Sequence, residues 1–264
     1  MTDEPDRDVA YLSASAARVD LLERLADGPA RPADLVEATG ASRTTVHRTL
    51  ADLRERDWCR RDDGTYVATG LGELALESYR RARARFRTLD RVAPVFAHLD
   101  GVDGLDPAWL ETARVASATA ENPQRPVEWY ADRLEAADGD RFRGVSPVMS
   151  RQFMTLHAPI VYGDAPTELV LGEETFRFVE QRYPERLRES VALDGYDLYV
   201  AATAPSMGVT LYGETVFLGA YDGGRLAGVV ESDDDRLREW ARRWYRRHRD
   251  GARPVDPADL AAPE

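Results

Sequence analysis

Residues 31–69, RPADLVEATGASRTTVHRTLADLRERDWCRRDDGTYVAT, constrain the fold more tightly than any other stretch of the chain. Pro32 sits where a helix can start without its N–H. Leu35, Val36 and Ala38 give that helix a short apolar face. Gly40 follows it, at a position that favours a left-handed backbone. Ser42 then fits as the N-cap of a second helix. Within this helix Val46, Leu50 and Leu53 recur at spacings of four and three and mark the inward face. Ser42, Arg43, Thr44, Thr45, His47 and Arg48 crowd its first turns. Residues 58–61 and 65–69 read as two strands, and Asp62-Asp63-Gly64 between them is a hairpin turn. Upstream, Tyr11, Leu12, Ala16, Val19, Leu22 and Leu25 have helical spacing, and Gly28-Pro29 ends that helix. The order helix, turn, helix, hairpin defines a winged helix-turn-helix over residues 9–70, with residues 1–8 expected to be disordered.

This pattern predicts binding to double-stranded DNA. The first turns of a recognition helix are where side chains meet base edges and phosphates. Arg can fork onto guanine, and Thr can meet a phosphate or a thymine methyl. The candidate DNA-binding residues are Ser42, Arg43, Thr44, Thr45, His47 and Arg48, with Arg60 and Arg61 on the wing. Asp62 and Asp63 at the wing tip repel phosphate. Together with the net charge of −12 they favour an alternative, in which the domain docks on another protein of the transcription machinery.

Charge limits the reading further. All 35 basic residues are Arg, and the chain has no Lys. An acidic, Lys-free composition points to a halophile with a GC-rich genome, because acidic surfaces keep a protein soluble at high salt. At such salt, counterion release adds little to DNA affinity. The lack of Lys excludes a P-loop lysine, a Schiff base and a Ser–Lys pair. The single Cys59 excludes an internal disulfide and a multi-Cys zinc site, and its place in a strand predicts core packing. No apolar run reaches ~18 residues and no signal-peptide pattern opens the chain, so a soluble, cytoplasmic protein is expected.

Residues 71–99 read as one long connector helix. Ala75, Tyr79, Ala82, Phe86, Leu89, Ala93 and Phe96 alternate at four and three, a seam of coiled-coil type. Tyr79, Ala82, Phe86, Leu89 and Phe96 are the candidate dimerisation residues, and Arg80, Arg81, Arg83, Arg85, Arg87 and Arg91 crowd the outside. Packing of the helix on its own chain is the alternative. Pro94 should kink or interrupt its last turns.

Asp100-Gly101-Val102-Asp103-Gly104 marks a boundary. Beyond it, strand and helix patterns alternate, and four strand-like runs then follow at 198–203, 207–212, 215–220 and 225–231. A helix over 233–249 carries Leu237, Trp240, Ala241, Trp244 and Tyr245 on one face. The pattern predicts an α/β domain with a mixed sheet over 100–250, followed by a flexible tail over 251–264. The whole chain is thus of α+β and α/β class. Ser146, Met149, Ser150 and Gln152 lie at a strand-to-helix junction, where helix-end amides suit an anion or a small polar effector. Tyr212 and Tyr221 are expected near the same cavity. His98, His157 and His248 are scattered and the sequence shows no metal-ligand spacing, no catalytic constellation and no cofactor motif. Asp233, Asp234 and Asp235 are explained by the dipole of the helix they open.

Gly144-Val145-Ser146-Pro147-Val148-Met149, the run APSMGVTLYGETVFLGAYDGG at 204–224, Val230-Glu231-Ser232-Asp233 and Glu239-Trp240-Ala241 through Trp244-Tyr245 form an ordered set. They resemble the regulatory domain of the FilR1 family, archaeal transcriptional regulators that join this domain to an N-terminal winged helix. The resemblance spans about residues 9–249. It implies a transcription factor; the connector helix adds the expectation of a homodimer, and the second domain that of a sensor for a small-molecule effector or a partner. It names neither the regulated genes nor the effector.

Overall fold

A computed structural model describes residues 4–260. The chain divides into two compact units, one reaching Phe86 and one starting at Arg87.

The first unit begins with helices α1 (Glu4–Ser13) and α2 (Ala16–Ala26). Residues 4–8, expected to be disordered, lie in α1, and residues 1–3 fall outside the described residues. The helix is held by its contacts. Arg56 Nε donates to Asp8 at 3.0 Å, and the Arg56 and Arg18 guanidiniums lie 4.1 and 4.2 Å from the Tyr11 ring centroid. Helix α3 (Pro32–Thr39) starts at its proline, and Asp34 accepts the Arg31 backbone N–H at 3.0 Å. Gly40 ends it with φ +66°, in the left-handed region. Helix α4 (Arg43–Glu55) is capped by Ser42, whose hydroxyl accepts the Thr45 N–H. Such a cap stabilises a helix by about 1 kcal/mol.

Strands β1 (Cys59–Asp62) and β2 (Thr65–Ala68) form the antiparallel wing. Asp63 (φ +42°) and Gly64 (φ +83°) make its two-residue turn, as the primed hairpin turns require. Leu21, Leu22, Leu25, Leu35, Val46, Leu50 and Leu53 close the core, and Cys59 is buried against it as expected.

Helix α5 (Gly70–Phe96) gives residues to both units and runs through Pro94 without interruption. Leu76 joins the first core, while Val92 and Val95 join the second. Ala75 and Tyr79 are half-buried on the first core, and Phe96 packs on the second. The middle of the expected seam is open, with Phe86 67% and Leu89 40% exposed. The arginine face is largely engaged within the chain. Arg80 pairs with Glu23, Arg81 with Glu77, and Arg83 lies 5.8 Å from the Tyr79 ring. Arg91 donates to the carbonyls of Leu110, Glu111 and Ala113.

The second unit is an α/β domain. Its elements are β3 (Arg114–Ser117), α6 (Arg125–Ala136), β4 (Phe142–Ser146), α7 (Arg151–Val161), β5 (Thr167–Gly172), α8 (Glu173–Arg182) and α9 (Pro184–Val191). Strand β6 (Tyr196–Ala201) follows, then the meander β7 (Gly208–Tyr212), β8 (Thr215–Asp222) and β9 (Arg225–Ser232), then α10 (Asp235–Asp250) and β10 (Ala252–Pro254). One eight-stranded sheet runs in the order β10-β6-β5-β4-β7-β8-β9-β3. The β4, β5 and β6 strands are parallel, and the other pairings are antiparallel. The tail expected to be loose instead adds an edge strand. Pro254 pairs with Tyr199, and Val255 N–H donates to the Leu198 carbonyl at 2.9 Å. Residues 261–264 fall outside the described residues.

Side chains alternate across the sheet. Val145, Val170, Val209, Leu211, Leu218 and Val230 meet α10 through Leu237, Trp240, Ala241, Trp244 and Tyr245. The opposite face packs on α6 and α7 at one end and on α8 and α9 at the other.

Candidate nucleic-acid interface and effector cavity

The geometry of α4 follows from its period. Val46, Thr49, Leu50 and Leu53 point into the core. The same rotation leaves Arg43, Thr44, His47 and Arg48 exposed together on the far side. No acidic residue lies in the first turn. Ser42 and Thr45, named with them as candidate contacts, are occupied by the cap. Their hydroxyls lie 2.9 Å apart and Ser42 Oγ accepts the Thr45 N–H at 3.2 Å. On the wing, Arg60 is tied to Asp62 at 3.1 Å, so part of its charge is already answered. Arg61, the next residue along the strand, is exposed.

The second unit holds a cavity of about 340 Å³ between the sheet and helices α6 to α9. Ser146 and Met149 line it. Ser150, Gln152 and Tyr212 do not. Ser150 is spent as the N-cap of α7, accepting the Phe153 N–H at 3.2 Å, and Gln152 is exposed. Tyr212 ends β7, with its ring 6.1 Å from that of Phe142. Tyr221 lines the cavity as expected, its ring lying against the Cα positions of Gly208 and Gly219.

Sequence reasoning missed Tyr130, His157, Thr210 and Tyr196 as wall residues. Three of them form a hydrogen-bonded chain. His157 Nδ1 lies 2.8 Å from the Phe153 carbonyl, His157 Nε2 lies 2.9 Å from the Tyr130 hydroxyl, and that hydroxyl lies 3.0 Å from Thr210 Oγ1. Burial lowers the His157 pKa to about 4, against a weaker upward pull from the Phe153 carbonyl, so the ring is neutral. A neutral ring that donates from Nδ1 must accept at Nε2. Tyr130 therefore donates to His157, and Thr210 donates to Tyr130. Burial also raises Tyr130 and Tyr196 well above the usual phenol range and Tyr221 to about 12.

Among the described residues no group of three or more His, Cys, Asp and Glu is placed to hold a metal ion. No described helix is long and apolar enough to cross a membrane.

A winged helix-turn-helix followed by an α/β domain with a cavity defines a two-domain protein of regulator architecture. Comparison with known families gives the particular type. Residues 6–91 match the HVO_A0261 N-terminal domain, and residues 123–251 match the middle domain of the methanogenesis regulatory protein FilR1. The two matches together cover most of the chain. No curated protein matches it. Among solved structures it is similar to TrmBL2, an archaeal chromatin protein, at 12% identity over 95% of this chain and 100% of that one, with a TM-score of 0.43. It is also similar to phosphatidylserine synthase of Haemophilus influenzae Rd KW20, at 9% identity over 83% of this chain and 48% of that one, with a TM-score of 0.42. An IclR-family regulator from Rhodococcus sp. matches at 15% identity over 94% and 95%, with a TM-score of 0.21. None of the three reaches a TM-score of 0.5, and the function below is drawn from this chain's own residues and its two family domains.

Proposed function

We propose that this protein is a transcriptional regulator that binds double-stranded DNA as a homodimer and receives a small molecule in its α/β domain. The observation that carries the reading is the exposed face of α4. Arg43, Thr44, His47 and Arg48 stand together at the start of a helix whose other face is locked in the core. That is the arrangement by which a recognition helix enters a major groove. The match of the second domain supports it, since that domain is named for a regulatory protein. Arg61 is the wing residue best suited to a phosphate, because Arg60 is shared with Asp62.

The homodimer reading rests on α5. Phe86 and Leu89 are large, apolar and exposed within the chain. With Ala82 and Ala93 they form a stripe that a second copy of the helix would cover. One observation favours docking on another protein instead, namely the aspartates at the wing tip.

The test uses the double variant Arg43→Ala/Arg48→Ala at molar salt. Selection of bound fragments from sheared genomic DNA should enrich a common sequence with wild type and none with the variant, at an unchanged melting temperature. Equal enrichment by both proteins would remove α4 as the reading helix. Retention of a protein partner by the variant, with no DNA enrichment by wild type, would favour the adaptor.

A further inference from the structure

The cavity of the second unit has a chemistry of its own, and that chemistry selects its ligand. Its body is apolar: Phe142, Phe153, Leu169, Leu171, Leu198 and Phe217 are among its walls. Among the described residues two charged side chains touch it, Arg186 and Glu189. Both lie on α9, both are exposed, and their charges are opposite. With exposed Thr155 and Tyr162 from the α7 side they form the mouth.

Inside, the polar groups are hydroxyls and one imidazole. The chain Thr210, Tyr130, His157 uses each of its protons internally, so it offers a ligand only lone pairs. Tyr196 is different. It is half-buried in the wall, opposite Thr167 in the β5–β6 register, and its hydroxyl makes no hydrogen bond among the described residues. A hydroxyl whose proton is not spent on the protein can donate it to a ligand that brings an acceptor into the cavity. The one cation that touches the cavity, Arg186, stands exposed at the mouth beside Glu189, and moving an unpaired charge past it into the apolar body is prohibitive. The volume of about 340 Å³ falls at the lower end of the range of small-molecule pockets, ~300–1,000 Å³.

We propose that this cavity is the receptor site for an uncharged, mainly apolar small molecule carrying a carbonyl-type acceptor, which takes the Tyr196 hydroxyl proton while its body lies between α7 and the sheet. The inference deepens the reading of the second domain as a small-molecule receptor and rests on it. It does not rest on DNA binding by α4.

The test is a fluorescence titration of the full chain with prodan, a neutral dimethylamino-naphthyl ketone whose emission reports polarity and hydrogen bonding at its carbonyl. Anilinonaphthalene sulfonate serves as the anionic comparison. Wild type should bind one prodan per chain, saturably and with blue-shifted emission, and the sulfonate about tenfold more weakly or worse. Ala158→Trp fills the cavity from α7 and should abolish prodan binding. Tyr196→Phe, which removes one hydroxyl and keeps the ring, should weaken prodan about threefold or more and move its emission further to the blue. The Arg43→Ala/Arg48→Ala variant should bind prodan like wild type, so a failed DNA reading and a failed cavity reading give different results. No saturable prodan binding, equal affinity for the sulfonate, or a folded Ala158→Trp that binds as wild type would overturn the proposal. If Ala158→Trp does not fold, unchanged affinity and emission in Tyr196→Phe would overturn it.

Discussion

Single residues in this protein act by where burial leaves their protons. His157 is the clearest case. Its unfolded pKa is near 6.5, whereas in the fold burial holds it at about 4. As pH falls from 6.5 to 4 the unfolded chain takes up a proton that the folded chain refuses, so stability drops across that window and is level above it. The full drop is up to about 3 kcal/mol. Urea unfolding of wild type and His157→Phe at about pH 7.5 and about pH 5 should show a smaller acid loss in the variant. Equal losses in both would remove His157 as a source of the pH dependence. Glu231 shows a buried charge solved differently. It is only 4% exposed, and Arg114 and Arg133 both donate to it at 2.8 Å, so its charge is met on two sides.

Elements show what the chain makes plain and what it hides. The α4 helix and the wing could be read directly, because the four-and-three period of Val46, Leu50 and Leu53, the left-handed Gly40 and the Asp63-Gly64 turn are all local signals. The cavity was only half legible. Ser146 and Met149 stand beside a visible strand-to-helix junction. Tyr130, Thr210 and Tyr196 come from α6, β7 and β6, and only sheet order and register bring them together. The α5 helix misled for a geometrical reason. A single stripe assumes one buried face, yet Leu76 is buried in the first core and Val92 and Val95 in the second, and none of the three belongs to the stripe.

Its exposed middle carries a test. Phe86→Asp should convert a dimer to a monomer in light scattering, and an unchanged mass would refute pairing through α5. The start of α5 carries another. A Cβ on Gly72 would stand 2.0 Å from the Trp58 carbonyl oxygen, backbone against backbone. Gly72→Ala should therefore cost about 2–3 kcal/mol in urea unfolding. A loss below about 0.5 kcal/mol would mean that the helix can shift freely there.

At the scale of the whole molecule, a net charge of −12 coexists with a proposed DNA interface. The contradiction eases when the charges are located. The α4 face presents Arg43, His47 and Arg48, while many other arginines are engaged with the chain's own acids and carbonyls. A protein that makes few phosphate contacts has a shallow dependence of affinity on salt. Its specificity must then come from base contacts by α4 and from the spacing of two copies. The central claim is that α4 reads DNA. Genome-wide occupancy in cells of the source organism, wild type against Arg43→Ala/Arg48→Ala, tests it most directly. The account predicts sharp wild-type peaks that share a two-fold motif and disappear in the variant. Identical peaks for both proteins would contradict it.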